Sequence, residues 1–191
     1  MLLKNTLEQA VRSPFYREVY AKAGVKPSDI TSPVDVTRLP FTTKDDLRAA
    51  YPEGLLAVPK SEIVRLHASS GTTGSPVVIC HTQDDLDTWA DLMARCMHMV
   101  GIRREDVFQN IAGYGLFTGG LGIHYGAERL GCTTIPAGTG HTRRQLKLIL
   151  DMQVTALHII PSYAPFLGNP LLDPGEEPRS LPPRIALIGA E

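Results

Sequence analysis

The chain has 191 residues, with 19 Lys and Arg against 20 Asp and Glu and a formal net charge of −1, so electrostatics give it no reason to seek nucleic acid or a membrane surface. Its 43% apolar content is enough to bury a real core, and no apolar run approaches the ~18 residues of a spanning helix. Met1–Asn5 does not open an apolar signal region, and the three cysteines, Cys80, Cys96 and Cys132, are odd in number and far apart, which argues against a disulfide framework and for a cytoplasmic setting.

In chain order, Ser13 and Pro14 start a helix: Ser can cap, and Pro at the first helical position lacks only an N–H that had no partner. Phe15 to Ala23 continues it and Gly24 can end it. Val25 to Pro40 holds three prolines and reads as a connector. Thr43 and Asp46 have capping-box spacing, with Asp in place of Glu or Gln, ahead of a short helix that Pro52 stops. These elements form a helical N-terminal segment and connector over residues 1–60, followed by an α/β core over residues 61–191.

Two β-type runs, Ile63-Val64-Arg65-Leu66 and Val77-Val78-Ile79-Cys80, flank a loop of hydroxyls and glycines. Beyond it, Thr82 and Asp85 open the longest helical pattern, whose apolar face is Leu86, Trp89, Ala90, Met93, Met97 and Val100, and Gly101 closes it. Val107 to Ile111 reads as a strand, followed by a glycine-rich loop, a helix to Gly131 and a short strand at Thr133–Ile135. Thr142 caps a helix to about Met152, and Val154 to Ile160 is a strand ending at Pro161. Six prolines between Pro165 and Pro183 oppose helix across most of that stretch, before a final buried-type strand over Arg184–Ile188. Strands alternating with helices imply an α/β fold with a mostly parallel sheet flanked by helices.

The loop between the two β-type runs, with Ser69, Ser70, Gly71, Thr72, Thr73 and Gly74, offers hydroxyls and unhindered backbone N–H groups to a polyanion. It is not a Walker A loop, since no Gly-Lys-Ser/Thr follows and a strand comes next. Nor does a Gly-x-Gly-x-x-Gly follow a strand, which weakens an unrelated dinucleotide-type domain. A plain polar turn in a hairpin is the structural alternative for this loop. Cys80 and His81 are adjacent, but no Cys/His spacing matches a zinc site.

Ala68-Ser69-Ser70-Gly71-Thr72-Thr73-Gly74 resembles the phosphate loop of the acyl-adenylate-forming, AMP-binding enzymes. Leu39-Pro40-Phe41-Thr42-Thr43-Lys44, Tyr114-Gly115-Leu116-Phe117-Thr118-Gly119-Gly120 and His124-Tyr125-Gly126-Ala127-Glu128-Arg129-Leu130-Gly131 narrow the resemblance to the phenylacetate–CoA ligase family, from about Ser13 to Glu191. Members of that family are much longer, so the chain resembles their N-terminal portion.

The resemblance implies a two-step activation of an aryl acid, with ATP, Mg2+ and CoA as co-substrates. Ser69, Ser70, Gly71, Thr72, Thr73 and Gly74 would hold the outer phosphates. Gly189, Ala190 and Glu191 resemble the start of the segment that meets the adenine, and Tyr114, Phe117, Gly119 and Gly120 would line the aryl pocket. Where the family usually has Lys after the second glycine this chain has Ser75, and Ala112 stands where another aromatic is common. On this reading Gly120→Val should fill the space of the aryl ring and leave the fold intact.

The family's magnesium-holding Glu, its ribose-binding Asp and its C-terminal domain with a catalytic Lys have no counterpart in these residues. The chain alone is therefore expected to be inactive, with no catalytic residue of its own and no metal ligand assigned. The partner expected is a small aromatic carboxylic acid, and a separate chain supplying the missing half and a homodimer both stay open. The competing reading is a non-catalytic remnant or an aryl- or nucleotide-binding module. His124 and Glu128 read as a helical i,i+4 pair rather than an acid–base couple. For the Tyr114 loop the alternative is a structural turn with Phe117 in the core.

Overall fold

Local chemistry sets the first elements as the residues require. The computed structural model describes residues 2–69, 76–168 and 183–189. Helix α1, Leu2–Ala10, had no sequence counterpart, while α2, Pro14–Ala23, begins where expected. Ser13 Oγ accepts from the Tyr16 N–H, and Gly24 closes α2 at φ 66°. Thr43 and Asp46 form a reciprocal capping box at the start of α3, Lys44–Ala49. The connector between α2 and α3 is built of 3-10 turns at Pro27–Asp29 and Pro33–Arg38.

The chain divides into two compact units, Met1–Gln83 and Asp84–Glu191. Leu7, Tyr20, Val25 and Ile30 form the core of the first. That unit also carries an antiparallel hairpin of β1, Arg65–Ala68, and β2, Val78–His81, with Ala68 opposite Val78. The strands start one or two residues later than the β-type runs suggest.

The second unit is a parallel sheet in the order β4-β3-β5-β6, with β3 at Val107–Asn110, β4 at Thr133–Ile135, β5 at Ala156–Ile159 and β6 at Ile185–Ile188. Its helices are α4, Gln83–Met99, α5, Thr118–Leu130, α6, Thr142–Asp151, and α7, Ala164–Gly168. Alternate residues of the central strands serve opposite faces. Phe108 and Ala156 pack with Met97 and Ala127 of α4 and α5, whereas Leu157 and Ile159 pack with Ile149 and Leu167 of α6 and α7. Helices thus cover both faces, as expected for a parallel sheet.

Helix α5 lies close to α4 because it is glycine-notched. A Cβ at Gly122 would sit 2.3 Å from the Trp89 ring, and one at Gly126 would sit 2.5 Å from Met93 Cβ. Trp89 is therefore packing structure, as its place on the apolar face implies. Val100 is not part of that face; it is exposed beyond the end of α4. At the N-terminal edge of the sheet, the Asp106 carboxylate gathers the Arg103 N–H at 2.6 Å, Thr155 Oγ1 at 2.6 Å and Arg184 at 2.5 Å, joining the approaches to β3, β5 and β6. Burial alone would raise the Asp106 carboxyl, but these hydrogen bonds and the guanidinium outweigh it and hold it below the ordinary range.

Two further expectations change. Thr142 does not cap α6: His141, at φ 54°, precedes the helix, and the Thr142 hydroxyl instead meets Tyr163 Oη at 2.8 Å. Helix α7 occupies the start of the proline-rich stretch, since Pro165 falls at the second position of the helix, where its missing N–H costs no intrahelical bond. The remaining prolines up to Pro182 lie outside the described residues.

Candidate functional site

Connections in this sheet diverge between β3 and β5: the chain leaves β3 for β4 on one side and leaves β5 for β6 on the other. In open α/β sheets such a point, at the carboxyl ends of the strands, is where ligands bind. Here the two strand ends are joined by a polar bond, His158 Nδ1 to Asn110 Oδ1 at 2.9 Å, with both residues buried. Asn110 also accepts from the Ala112 N–H at 3.2 Å and donates from Nδ2 to Gly120 O at 2.7 Å. One buried amide thereby fixes both ends of the glycine-rich loop.

Of the sequence-predicted acid-site residues, Tyr114 and Phe117 sit on that loop, and Gly119 and Gly120 fall in the first turn of α5. Tyr114 is 37% and Phe117 58% exposed, so Phe117 does not fill the core as the structural alternative requires. Gly119 is half-buried and Gly120 buried. Gly120 faces the backbone rather than open space, because a Cβ there would lie 2.2 Å from Gly113 O. Valine at 120 would therefore displace the loop, contrary to the expectation that it leaves the fold intact. Ala112 is buried.

A second buried network supports the neighbouring loop after β4. Gln145 Nε2 donates to Gly138 O at 2.8 Å and Gly140 O at 3.0 Å, and Gln145 Oε1 accepts from Gln109 Nε2 at 2.7 Å. Sequence reasoning passed over Asn110, His158, Gln109 and Gln145. The available clue was a Gln-Asn pair inside a strand that must be buried on both faces, where polar side chains need partners.

Of the predicted phosphate-loop residues, Ser69 is described and exposed. Its N–H donates to Val77 O and its Oγ accepts from the Val77 N–H, both at 2.9 Å, so the loop is closed at its base by Ser69 and Val77. Ser70, Gly71, Thr72, Thr73 and Gly74, together with Ser75, lie outside the described residues, as do Ala190 and Glu191. Gly189 follows β6 and its N–H donates to Ile159 O at 3.3 Å. A cavity of about 560 Å³ in the first unit, walled by Tyr51, Leu56, Ile63, Leu66, Val78 and Cys80 among others, includes none of the predicted site residues.

No family model matches the chain. It is 49% identical over 178 residues to a phenylacetate-coenzyme A ligase of Pseudomonas putida, an alignment covering 93% of this chain and 40% of the relative. It is 45% identical over 191 residues to the phenylacetate-coenzyme A ligase of Escherichia coli strain K12, covering 99% of this chain and 44% of that one. The chain belongs to the phenylacetate–CoA ligase family, matching the N-terminal portion of its members. It spans about 40% of the length of the curated relatives it matches. The fold of this ligase-family chain is also that of an open conformation of 2-hydroxyisobutyryl-CoA ligase in complex with 2-HIB-AMP and CoA, with a TM-score of 0.88 and 31% identity over 99% of this chain and 42% of that structure.

Electrostatics at the site of this ligase-family chain follow from burial. The Tyr114 phenol is held above its ordinary value by burial and by the Glu128 charge, against a hydrogen bond from Asn110. Burial lowers His158 from its ordinary 6.5. The unfolded chain then takes up a proton that the folded one refuses. The contribution is complete above pH 6.5 and is lost as pH falls below it, by at most about 1.4 kcal/mol per pH unit. Urea unfolding followed by the fluorescence of Trp89, the sole tryptophan, should show this slope between pH 7.5 and 5.5, and His158→Gln should flatten it. Equal slopes in both proteins would remove His158 as the cause.

Proposed function

We propose that this chain supplies the acid-binding and phosphate-binding loops of a ligase that activates phenylacetate or a related aryl acid. In that reaction a carboxylate oxygen attacks the α-phosphorus of ATP and pyrophosphate leaves, giving the acyl-AMP. The sulfur of CoA then attacks the acyl carbon and AMP leaves, giving the thioester. The observation that carries the reading is the pair of exposed aromatics, Tyr114 and Phe117, beside Gly119–Gly120 at the sheet's divergence point, in a chain 49% identical to a phenylacetate-coenzyme A ligase. Aromatics next to glycines suit a flat ring, which can approach the backbone where no Cβ stands. The acyl-AMP and CoA held by the related 2-hydroxyisobutyryl-CoA ligase support the same two-step chemistry.

ATP is assigned to Ser69, Ser70, Gly71, Thr72, Thr73 and Gly74, with Gly189, Ala190 and Glu191 toward the adenine. The closed base at Ser69 and Val77 is consistent with a loop that gathers its donors. No group of three or more His, Cys, Asp or Glu that could hold a metal occurs among the described residues. The setting proposed is the cytoplasm, on the free thiols of Cys80, Cys96 and Cys132. No described helix is long and apolar enough to cross a membrane.

A second reading is that these residues by themselves bind the acid without making thioester, since the glycine-rich loop is held within the second unit by Asn110, which bonds Gly120 and His158. Both readings require the acid site. Phenylacetate at several millimolar should shift NMR signals of residues 112–121 more than those of 69–75, with a dissociation constant on the order of millimolar. An unmoved 112–121 segment would sink the acid-site assignment and leave the glycine-rich loop as a structural turn.

A further inference from the structure

We propose that His124, held in place by Glu128, is the positioning residue for Tyr114, and so sets the face that the acid site presents to an aryl ring. The three side chains form a line. Tyr114 Oη lies 3.3 Å from His124 Nδ1, and His124 Nε2 lies 3.1 Å from Glu128 Oε1. The Tyr114 and His124 rings meet edge to face, 5.7 Å apart at 82°, and the Tyr125 ring also meets the imidazole edge to face, at 5.3 Å and 84°. His124 is well covered, with 15% of its side chain exposed, whereas Glu128 is 51% exposed.

Hydrogen placement follows from the end of the line. The ionised Glu128 only accepts, so Nε2 carries the imidazole proton. In the neutral ring Nδ1 is then the acceptor, and the Tyr114 hydroxyl is the donor. The phenol proton is thus committed inside the protein. Tyr114 offers a bound acid its ring rather than a hydrogen bond, which suits an unsubstituted aryl group. The bond also ties the loop after β3 to the second turn of α5, in addition to the tie that Asn110 makes to Gly120 in the first turn.

A helical i,i+4 pair on α5 would by itself contribute only a few tenths of a kcal/mol to that helix and would leave Tyr114 untouched. The test must therefore read Tyr114. The binding half of the proposal rests on the acid-site reading, while the positional half does not.

The experiment uses the full 191-residue chain with 13C-labelled tyrosine at neutral pH, and follows the Tyr114 Cζ resonance, which reports the phenol's hydrogen bond. His124→Ala should move it toward that of a solvent-exposed tyrosine. His124→Asn should restore it, because Oδ1 can stand where Nδ1 stood. Glu128→Gln, a change at an exposed position that spares the fold, should move it in the same direction as His124→Ala by a smaller amount. In parallel, phenylacetate titration should show affinity weakened about threefold to tenfold by His124→Ala, and recovered to within about twofold by His124→Asn. An unchanged Cζ resonance in both His124→Ala and Glu128→Gln would overturn the positional claim. If phenylacetate moves no signal at 112–121 in the parent chain, the acid-site reading has failed and the binding claim falls with it; the Cζ resonance still decides whether His124 orients Tyr114. A Cζ change without any change in phenylacetate affinity would overturn the binding claim alone.

Discussion

Replacing Gly120 with valine is expected to destabilise the second unit by about 3 kcal/mol and to abolish the phenylacetate shifts at residues 112–121. The cause is the approach of α5 to the glycine loop. A Cβ at 120 would stand 2.2 Å from Gly113 O, 3.0 Å from Gly113 C and 3.4 Å from Tyr114 Cα. All three are backbone or backbone-linked atoms, which no rotamer change can move aside. The loop must shift away, and the Asn110 Nδ2 bond to Gly120 O is strained with it. Gly115→Ala is the control. Its Cβ would meet nothing within 4 Å, so stability should stay within about 0.5 kcal/mol. Urea unfolding read by Trp89 fluorescence compares the two variants. Equal stability of Gly120→Val and the parent would mean that the close approach of Gly113 and Gly120 is not held in solution.

Where structure is made by neighbours in sequence, the residues announced it. Ser13-Pro14 and Gly24 bound α2, Thr43 and Asp46 cap α3, and Gly131 closes α5 at φ 93°. Each uses a bond spanning only a few residues. The strands of the parallel sheet were also legible, β5 and β6 from short, mostly apolar runs and β3 and β4 from short stretches rich in β-branched and aromatic residues between glycine-bearing turns. Errors came where a distant partner decides. Thr142 has good capping chemistry, but its hydroxyl goes to Tyr163, and the turn at His141 starts the helix instead. The glycine-rich loop after β3 could be located from its aromatics and glycines. Its support could not: Asn110 reaches His158, and Gln109 reaches Gln145, over separations of 48 and 36 residues that no local pattern encodes. Gly120 was legible as part of the glycine-rich stretch but not as a contact with Gly113, since a missing side chain does not say what fills its space.

Asn110 should be the most costly single side chain to remove from this site. Asn110→Ala is expected to lower stability by about 3 to 5 kcal/mol, because it strands several buried partners at once. Gly120 O loses its donor at 2.7 Å, the Ala112 N–H loses its acceptor at 3.2 Å, and His158 Nδ1 loses its partner at 2.9 Å. Asn110 is 0% and His158 1% exposed, so water does not readily replace these bonds. Asn110→Asp separates the three contributions. A carboxylate still accepts from Ala112 and His158 but places an oxygen against Gly120 O, where the amide had donated. It also sets a negative charge beside the imidazole, which favours the protonated ring and raises the folded-state value of His158. A raised value adds stability below the unfolded value that is lost as pH rises, the reverse of the parent. The parent should therefore lose stability as pH falls below 6.5, while Asn110→Asp should show a weaker or opposite slope over the same range. Urea titrations of the three proteins between pH 7.5 and 5.5 measure both effects together. A cost below about 1 kcal/mol for Asn110→Ala would show that the loop does not depend on this amide. An unchanged slope in Asn110→Asp would show that His158 does not sense it.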